Sequence, residues 1–182
     1  TEKKREKNLL DFEDMEHLAL QILLKEEENG QMVPSDTALE YREQFAEILI
    51  DEYQDSNLVQ EFLLQSISGE DDGRFNRFMV GDVKQSIYGF RGADPSNFLR
   101  KKNAALPYDK AGEHDPKKII LSSNFRCRAE VCRYINFFFE HMMTKNTGSI
   151  AYNEEERLIP AAKYPETAEP PAELDIISAK GS

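Results

Sequence analysis

An α/β chain with a parallel sheet is what this sequence predicts, on three observations. Ile48-Leu49-Ile50 and Phe78-Met79-Val80 are short, unbroken apolar runs, the pattern of strands buried on both faces. Each run stops abruptly on acid, the first at Asp51-Glu52 and the second at Gly81-Asp82. An amphipathic segment lies between them, so the two strands are expected to join by a helical crossover and to run parallel.

In chain order, Leu10-Asp11-Phe12-Glu13-Asp14-Met15 opens a helix. Asp11 can cap it, and Asp14 can reach back three residues as in a capping box. Met15, Leu18, Ala19, Ile22 and Leu23 follow helical spacing on one face, and Glu26 to Glu28 with Asn29-Gly30 are expected to end the helix. Gly30 to Ser35, with Pro34, reads as a linker, and a short helix from about Thr37 to Gln44 leads into the first strand. After Asp55 a helix capped by Ser56 carries an apolar stripe of Val59, Phe62, Leu63 and Ile67. Gly69 to Asn76 reads as a polar loop. Asp94-Pro95 is an N-cap followed by proline at the first helical position, starting a helix to about Asn103. Leu106 to Lys118 reads as a loop, and Ile119-Ile120-Leu121 as a third strand. Val131, Tyr134, Ile135, Phe138 and Met142 mark a long amphipathic helix. Ala151 to Pro171 reads as irregular, and Leu174-Asp175-Ile176-Ile177 as a final strand.

Composition narrows the class. Length 182 with 40% hydrophobic residues suits one domain or parts of two. No apolar run approaches the roughly 20 residues of a membrane span, and charged Thr1 to Lys7 does not read as a secretory signal. Cys127 and Cys132 fall on one expected helix and suggest neither a disulfide framework nor a zinc site, so they read as reduced thiols of a cytoplasmic protein. His17, His114 and His141 are scattered. Net charge is -11, yet Arg74 to Arg133 carries 13 basic and 6 acidic residues against 10 and 28 in the remainder. A basic face within an acidic chain is one reading of that asymmetry, and an unevenly charged solvated surface is the other.

The chemistry gathers beyond the strand ends, where ligands sit in open α/β sheets. Asp51 can hold Mg²⁺ through its waters, and Glu52 is placed to take a proton from an attacking water. Alone, the pair also reads as an acidic turn. Gln85 lies one short loop past the second strand, where an uncharged amide can orient water or touch a phosphate oxygen. Tyr88, Phe90 and Arg91 combine two stacking surfaces with a cation, the mixture that binds single-stranded nucleic acid. Residue types alone leave Tyr88 and Phe90 as either core or binding residues. Arg126 stands just before a helix, where an arginine can meet a phosphate bidentately or simply sit on the surface.

Asp51-Glu52-Tyr53-Gln54-Asp55, then Gly81-Asp82-Val83-Lys84-Gln85-Ser86-Ile87-Tyr88-Gly89-Phe90-Arg91-Gly92-Ala93, then Asn124-Phe125-Arg126, resemble in order and spacing motifs II, III and IV of the UvrD/Rep/PcrA-type superfamily 1 DNA helicases. The resemblance covers about Leu10 to Met143, and the second of these runs is highly specific. Leu10 to Met15 resembles the segment that those helicases carry upstream of motif II. Within the superfamily the chain is most similar to the AddA (RexA) subfamily, the helicase-nuclease subunits of bacterial double-strand-break repair. The pointers are Leu10 to Leu18, Lys84, Phe90 where the monomeric helicases usually carry tryptophan, and Ala161-Ala162-Lys163-Tyr164-Pro165.

The resemblance implies an ATP-dependent 3′-to-5′ DNA helicase using ATP and Mg²⁺, acting on single-stranded and duplex-end DNA beside a second subunit of AddB/RexB type. In it Asp51 holds Mg²⁺, Glu52 activates water, Gln85 senses the γ-phosphate, Arg126 reaches that phosphate across a cleft, and Tyr88, Phe90 and Arg91 meet DNA. No Gly-x-x-x-x-Gly-Lys-Ser/Thr occurs in the sequence, so the loop that cradles phosphates is missing. The family places that loop upstream of motif II, and motifs V and VI and the nuclease domain downstream of motif IV. A fragment is therefore expected, catalytically silent alone. Residues 1–118 would be the later part of a first RecA-like (P-loop NTPase) domain, with 1–10 the tail of an inserted subdomain, and 119–182 the start of a second. Three other readings stand beside this one: a UvrD/PcrA-type repair helicase without nuclease, a metal-dependent nuclease using Asp51, Glu52 and Asp55, and a non-catalytic interaction module.

Overall fold

The computed structural model describes residues 2–148, 150–165 and 175. The chain divides into two units, Thr1–Lys118 and Ile119–Ser182. In the first, α1 (Glu2–Glu6) precedes α2 (Phe12–Leu23). The expected capping box forms: the Asp14 N–H donates to Asp11 Oδ1 at 2.9 Å, and the Asp11 N–H donates to Asp14 Oδ2 at 3.0 Å. These bonds satisfy donors that a helix start leaves orphaned.

Helix α2 stops at Leu23, earlier than the charge pattern predicted. β1 (Leu24–Glu26) turns back through Gly30, at φ +81, and pairs antiparallel with β2 (Met32–Pro34). The expected linker is thus half of a hairpin. Ser35 closes it, its N–H donating to Leu23 O at 2.8 Å and its hydroxyl to Ile22 O at 2.6 Å. These bonds meet the last carbonyls of α2, while Ser35 also caps α3 (Asp36–Gln44).

β3 (Ile48–Ile50), α4 (Leu58–Ile67) and β4 (Arg77–Met79) make the expected crossover, with β3 and β4 parallel. Two boundaries move by one residue. Asn57, not Ser56, caps α4, because Gln60 completes a capping box with it. β4 begins at Arg77, since Ile48 already donates to Asn76 O, yet Val80 still bonds Ile50 O at 2.9 Å. Past Asp94 and Pro95, α5 (Pro95–Ala104) starts as expected. β5 (Leu106–Pro107) then pairs in parallel with β6 (Lys117–Lys118).

The expected third strand at Ile119-Ile120-Leu121 does not form. Ile119 and Leu121 are exposed, and no strand of the described residues pairs with them; an apolar run becomes a strand only beside a ladder partner. Among the described residues the strands pair as four two-stranded sheets rather than one. In the second unit β7 (Ser123–Asn124) pairs in parallel with β8 (Ile159–Pro160), and α6 (Ala129–Met142) and α7 (Lys145–Gly148) lie between them in sequence. Buried Asn136 of α6 donates to Leu158 O at 2.9 Å and accepts from the Leu158 N–H and the Tyr152 hydroxyl. β8 interrupts the stretch from Ala151 that read as irregular, and the expected strand at 174–177 lies outside the described residues except for Asp175.

What holds the turn after β3 in place is polar. The buried Tyr53 hydroxyl donates to the Glu61 carboxylate, and burial, then that carboxylate, pushes its pKa up. Arg77, its side chain 1% exposed, donates to Glu70 at 2.7 Å and to Glu61 at 3.3 Å. Lys101 of α5 adds a contact to Glu61 at 3.1 Å. Two cations thus face two carboxylates, which is the condition for charges to stay buried. The Phe98 ring meets Tyr53 edge-on at 5.7 Å.

Candidate functional site

The first unit brings the ends of β3 and β4 side by side, and the predicted residues follow each end. Asp51 and Glu52 are exposed at the end of β3. Asp51 Oδ1 accepts the Glu52 N–H at 2.9 Å. Glu52 sits at φ 49 and ψ 39, a left-handed conformation that a residue with a Cβ adopts at a cost of about 1–2 kcal/mol. Such strain persists only where neighbours hold it, and it gathers at functional sites.

Asp51 Oδ1 and the Asp55 N–H bond the Glu52 backbone, and its carboxylate is met by Gln54, a residue that spacing and residue type did not single out. Its side chain is 1% exposed, yet both ends of the amide are used. Nε2 donates to Glu52 Oε2 at 2.7 Å, and Oε1 accepts the Asp82 N–H at 2.9 Å. A side chain at Gly81 would put its Cβ 2.5 Å from Gln54 Oε1, so Gly81 is the space in which that amide sits. A glutamine inside a short acidic run was the one available signal, since a buried amide must find partners for both its ends.

Gln85 lies past β4, in a 3-10 turn over Val83–Gln85. It is exposed, and its amide donates to Asp82 Oδ2 at 3.1 Å. Lys84 meets Asp82 Oδ1 at 2.8 Å. Burial would raise the Asp82 carboxyl, but the bonds from Lys84 and Gln85 outweigh it and hold the group below the usual carboxylate range. Tyr88, Phe90 and Arg91 form one exposed group: the rings lie 5.9 Å apart, and the Arg91 guanidinium stands 5.3 Å over Tyr88 and 5.6 Å from Phe90. Phe90 is 79% exposed, which removes its reading as core.

Beside the carboxylates an open recess of 430 Å³ is lined by Ile50, Asp51, Glu52, Asp55, Gln60 and Leu63, among others. Asp55 Oδ1 is buried there without a hydrogen-bond partner. An exposed carboxylate next to an orphaned one suits Mg²⁺, which keeps most of its waters and needs one or two protein carboxylates. Among the described residues no three His, Cys, Asp or Glu side chains converge as a metal cage. Asp51, Glu52 and Asp55 therefore do not form the three-carboxylate centre of a metal nuclease.

Arg126 belongs to the second unit and is exposed. Asn124 fixes its backbone, with Oδ1 accepting the N–H groups of Arg126 at 3.0 Å and Cys127 at 2.8 Å. The Tyr164 hydroxyl donates to the Arg126 carbonyl at 2.8 Å, and the Arg128 guanidinium lies 5.6 Å from the Tyr164 ring. Cys127 and Cys132 are free thiols, and among the described residues no helix is long and apolar enough to cross a membrane.

Residues 1–105 match the family model described as the UvrD/REP helicase N-terminal domain. The chain is 48% identical over 180 residues to the A-subunit of the ATP-dependent helicase/nuclease of Clostridium acetobutylicum, covering 97% of this chain and 14% of that one. It is 52% identical over 163 residues to the protein of that name from Thermoanaerobacter sp. (strain X514), covering 90% of this chain and 13% of that one. For the Clostridioides difficile protein of that name the figures are 53% over 162 residues, 89% and 12%. The chain thus spans about one seventh of the length of these curated relatives.

Proposed function

The chain belongs to the UvrD/REP helicase N-terminal domain family, and from that premise we propose that it works within an ATP-dependent 3′-to-5′ DNA helicase of the AddA (RexA) helicase/nuclease type. The observation that carries the reading is the pairing of β3 with β4. It sets two carboxylates beside the segment that holds Gln85 and the Tyr88–Phe90–Arg91 group. Hydrolysis chemistry and a surface for nucleic acid thus hang on adjacent strand ends.

Asp51 would hold Mg²⁺ largely through water, the ion's role being to neutralise charge on the phosphates of ATP. Glu52 takes the proton of the attacking water, its carboxylate oriented by the Gln54 amide at Oε2. Gln85 contacts the γ-phosphate with an amide that its neighbour Asp82 holds in place. Tyr88 and Phe90 stack on bases while Arg91 meets the backbone of single-stranded DNA. Arg126 stabilises charge on the transferring phosphate from a second RecA-like domain that begins at Ile119, the first being the unit to Lys118. Single-stranded and duplex-end DNA, a second subunit of AddB/RexB type and a cytoplasmic site of action complete the proposal.

Glu52→Gln in the full-length protein tests it. The substitution keeps shape and removes the base, so nucleotide binding should persist while turnover falls about 10²–10⁴-fold. Turnover within about twofold of wild type would return Glu52 to an acidic turn.

A further inference from the structure

The 53–56 stretch after β3 and the 80–94 stretch after β4 are stitched together by hydrogen bonds along their length. The Tyr53 N–H donates to Val80 O at 2.9 Å. Gln54 Oε1 accepts the Asp82 N–H, and Gln54 O accepts the Ser86 hydroxyl at 3.3 Å. Ser56 O accepts the Asp94 N–H at 3.0 Å. In all but one of these bonds the first stretch offers a backbone group. The exception is the Gln54 side chain, which also reaches Glu52 at 2.7 Å. Its amide is therefore a rigid piece with one end on that carboxylate and the other on the loop that carries Tyr88, Phe90 and Arg91.

The amide has no room to do otherwise. Gln54 is 1% exposed, and the absent side chain of Gly81 leaves the space that Oε1 fills. A shift of the Asp82 backbone moves Oε1. Because the amide is planar, Nε2 moves with it, and Glu52 loses or gains its donor. Glu52 is the member able to respond, since it rests in a strained left-handed conformation.

We propose that Gln54 is a positioning residue that couples occupation of the Tyr88–Phe90–Arg91 loop by single-stranded DNA to the orientation of the Glu52 carboxylate. The coupling rests on the helicase reading above. It adds a residue that touches neither nucleotide nor DNA and yet sets how strongly one answers the other. By linkage it works in both directions: DNA aligns Glu52, and nucleotide at Glu52 alters the affinity of the loop for DNA.

The test uses the full-length protein, an oligothymidylate as DNA and the Mg²⁺ complex of a non-hydrolysable ATP analogue. Gln54→Met keeps the length of the side chain and removes both polar ends. Gln54→Glu keeps the shape and the acceptor for Asp82, replaces the donor to Glu52 and to Asp55 Oδ2 with a carboxylate oxygen, and serves if the methionine variant is poorly folded. In both, the ratio of DNA-stimulated to basal turnover should fall at least about fivefold, with each ligand's affinity measured alone within about twofold of wild type. The change in oligothymidylate affinity that the analogue causes in wild type should shrink as well, and by linkage the change in analogue affinity that oligothymidylate causes should shrink by the same factor as that one. A residue that merely stabilised the fold would lower basal and stimulated turnover together and leave their ratio intact; that result overturns the proposal. Absence of DNA-stimulated hydrolysis in the wild-type protein overturns the helicase reading and the coupling with it. Stimulation in wild type that survives in Gln54→Glu overturns the coupling alone.

Discussion

With its ring 79% exposed, Phe90 can stack on a base without any rearrangement of the core. Phe90→Ala in the full-length protein should weaken single-strand binding by about 1–3 kcal/mol, the range for one stacked base, and leave the melting temperature close to wild type. Its salt dependence should hardly change, since no phosphate contact is lost; Arg91→Ala should instead reduce the salt slope by about one. Titrations at several salt concentrations separate the two, and unaltered affinity in Phe90→Ala would remove the stacking role. The Arg126 backbone is pinned from two sides, by the Asn124 amide oxygen and the Tyr164 hydroxyl. An arginine that stabilises transition-state charge contributes about 10³–10⁵ in rate in related phosphoryl-transfer enzymes. Arg126→Ala should therefore depress ATP turnover far more than ATP binding, and Arg126→Lys should rescue poorly because lysine lacks the planar fork. Near-normal DNA-stimulated hydrolysis in full-length Arg126→Ala would put this residue back on the surface.

Among the elements, the β3–α4–β4 crossover depends on charges that its apolar sequence does not announce. Arg77 opens β4 with its side chain 1% exposed, held by Glu61 from α4 and by Glu70. Arg77→Met would leave Lys101 as the one cation facing both carboxylates, with the Tyr53 hydroxyl still on Glu61, and breaking such a buried pair costs about 3–5 kcal/mol. Denaturant melts of the folded protein should show that loss, and a change under about 1 kcal/mol would mean that the network contributes little beyond packing. Acid acts on the same place. Burial would raise the Glu70 carboxyl, but Arg77 and Lys101 outweigh it and hold it below its ordinary value. Its contribution is thus present above the usual glutamate range and is lost as pH falls through the lower folded value. The crossover itself was legible, because two apolar runs ending in acid around an amphipathic helix have few other solutions. The capping box at Asp11 and the Asp94-Pro95 start were legible for the same reason: each is a local rule satisfied by residues three or fewer apart. The β1–β2 hairpin was not, since charged Lys25 and Glu26 continue a helical pattern and only Ser35, nine residues further on, closes the helix. The strand at Ile119 failed for the opposite reason: a β pattern without a partner is only a pattern. Within the site, exposed residue types were readable, but the buried amide of Gln54 was not, because its role is defined by what lies 28 residues away.

At the scale of the molecule, this chain holds the carboxylates and the aromatic group yet contains no phosphate-cradling loop. The isolated polypeptide should show no DNA-stimulated ATP turnover; activity that survived repeated purification and vanished in Glu52→Gln would contradict that expectation. The apolar side chains point the same way. Leu49 and Phe78 lie directly opposite each other on β3 and β4, 69% and 58% exposed, and among the described residues neither strand has a second neighbour. For anyone handling the polypeptide alone, this turns storage into a problem of colloid chemistry. An open apolar face beside free strand edges invites chain-to-chain pairing, and excluded salts such as sulfate strengthen that tendency. Cloudiness should come sooner in ammonium sulfate than in sodium chloride, and Leu49→Lys should raise the concentration at which it begins.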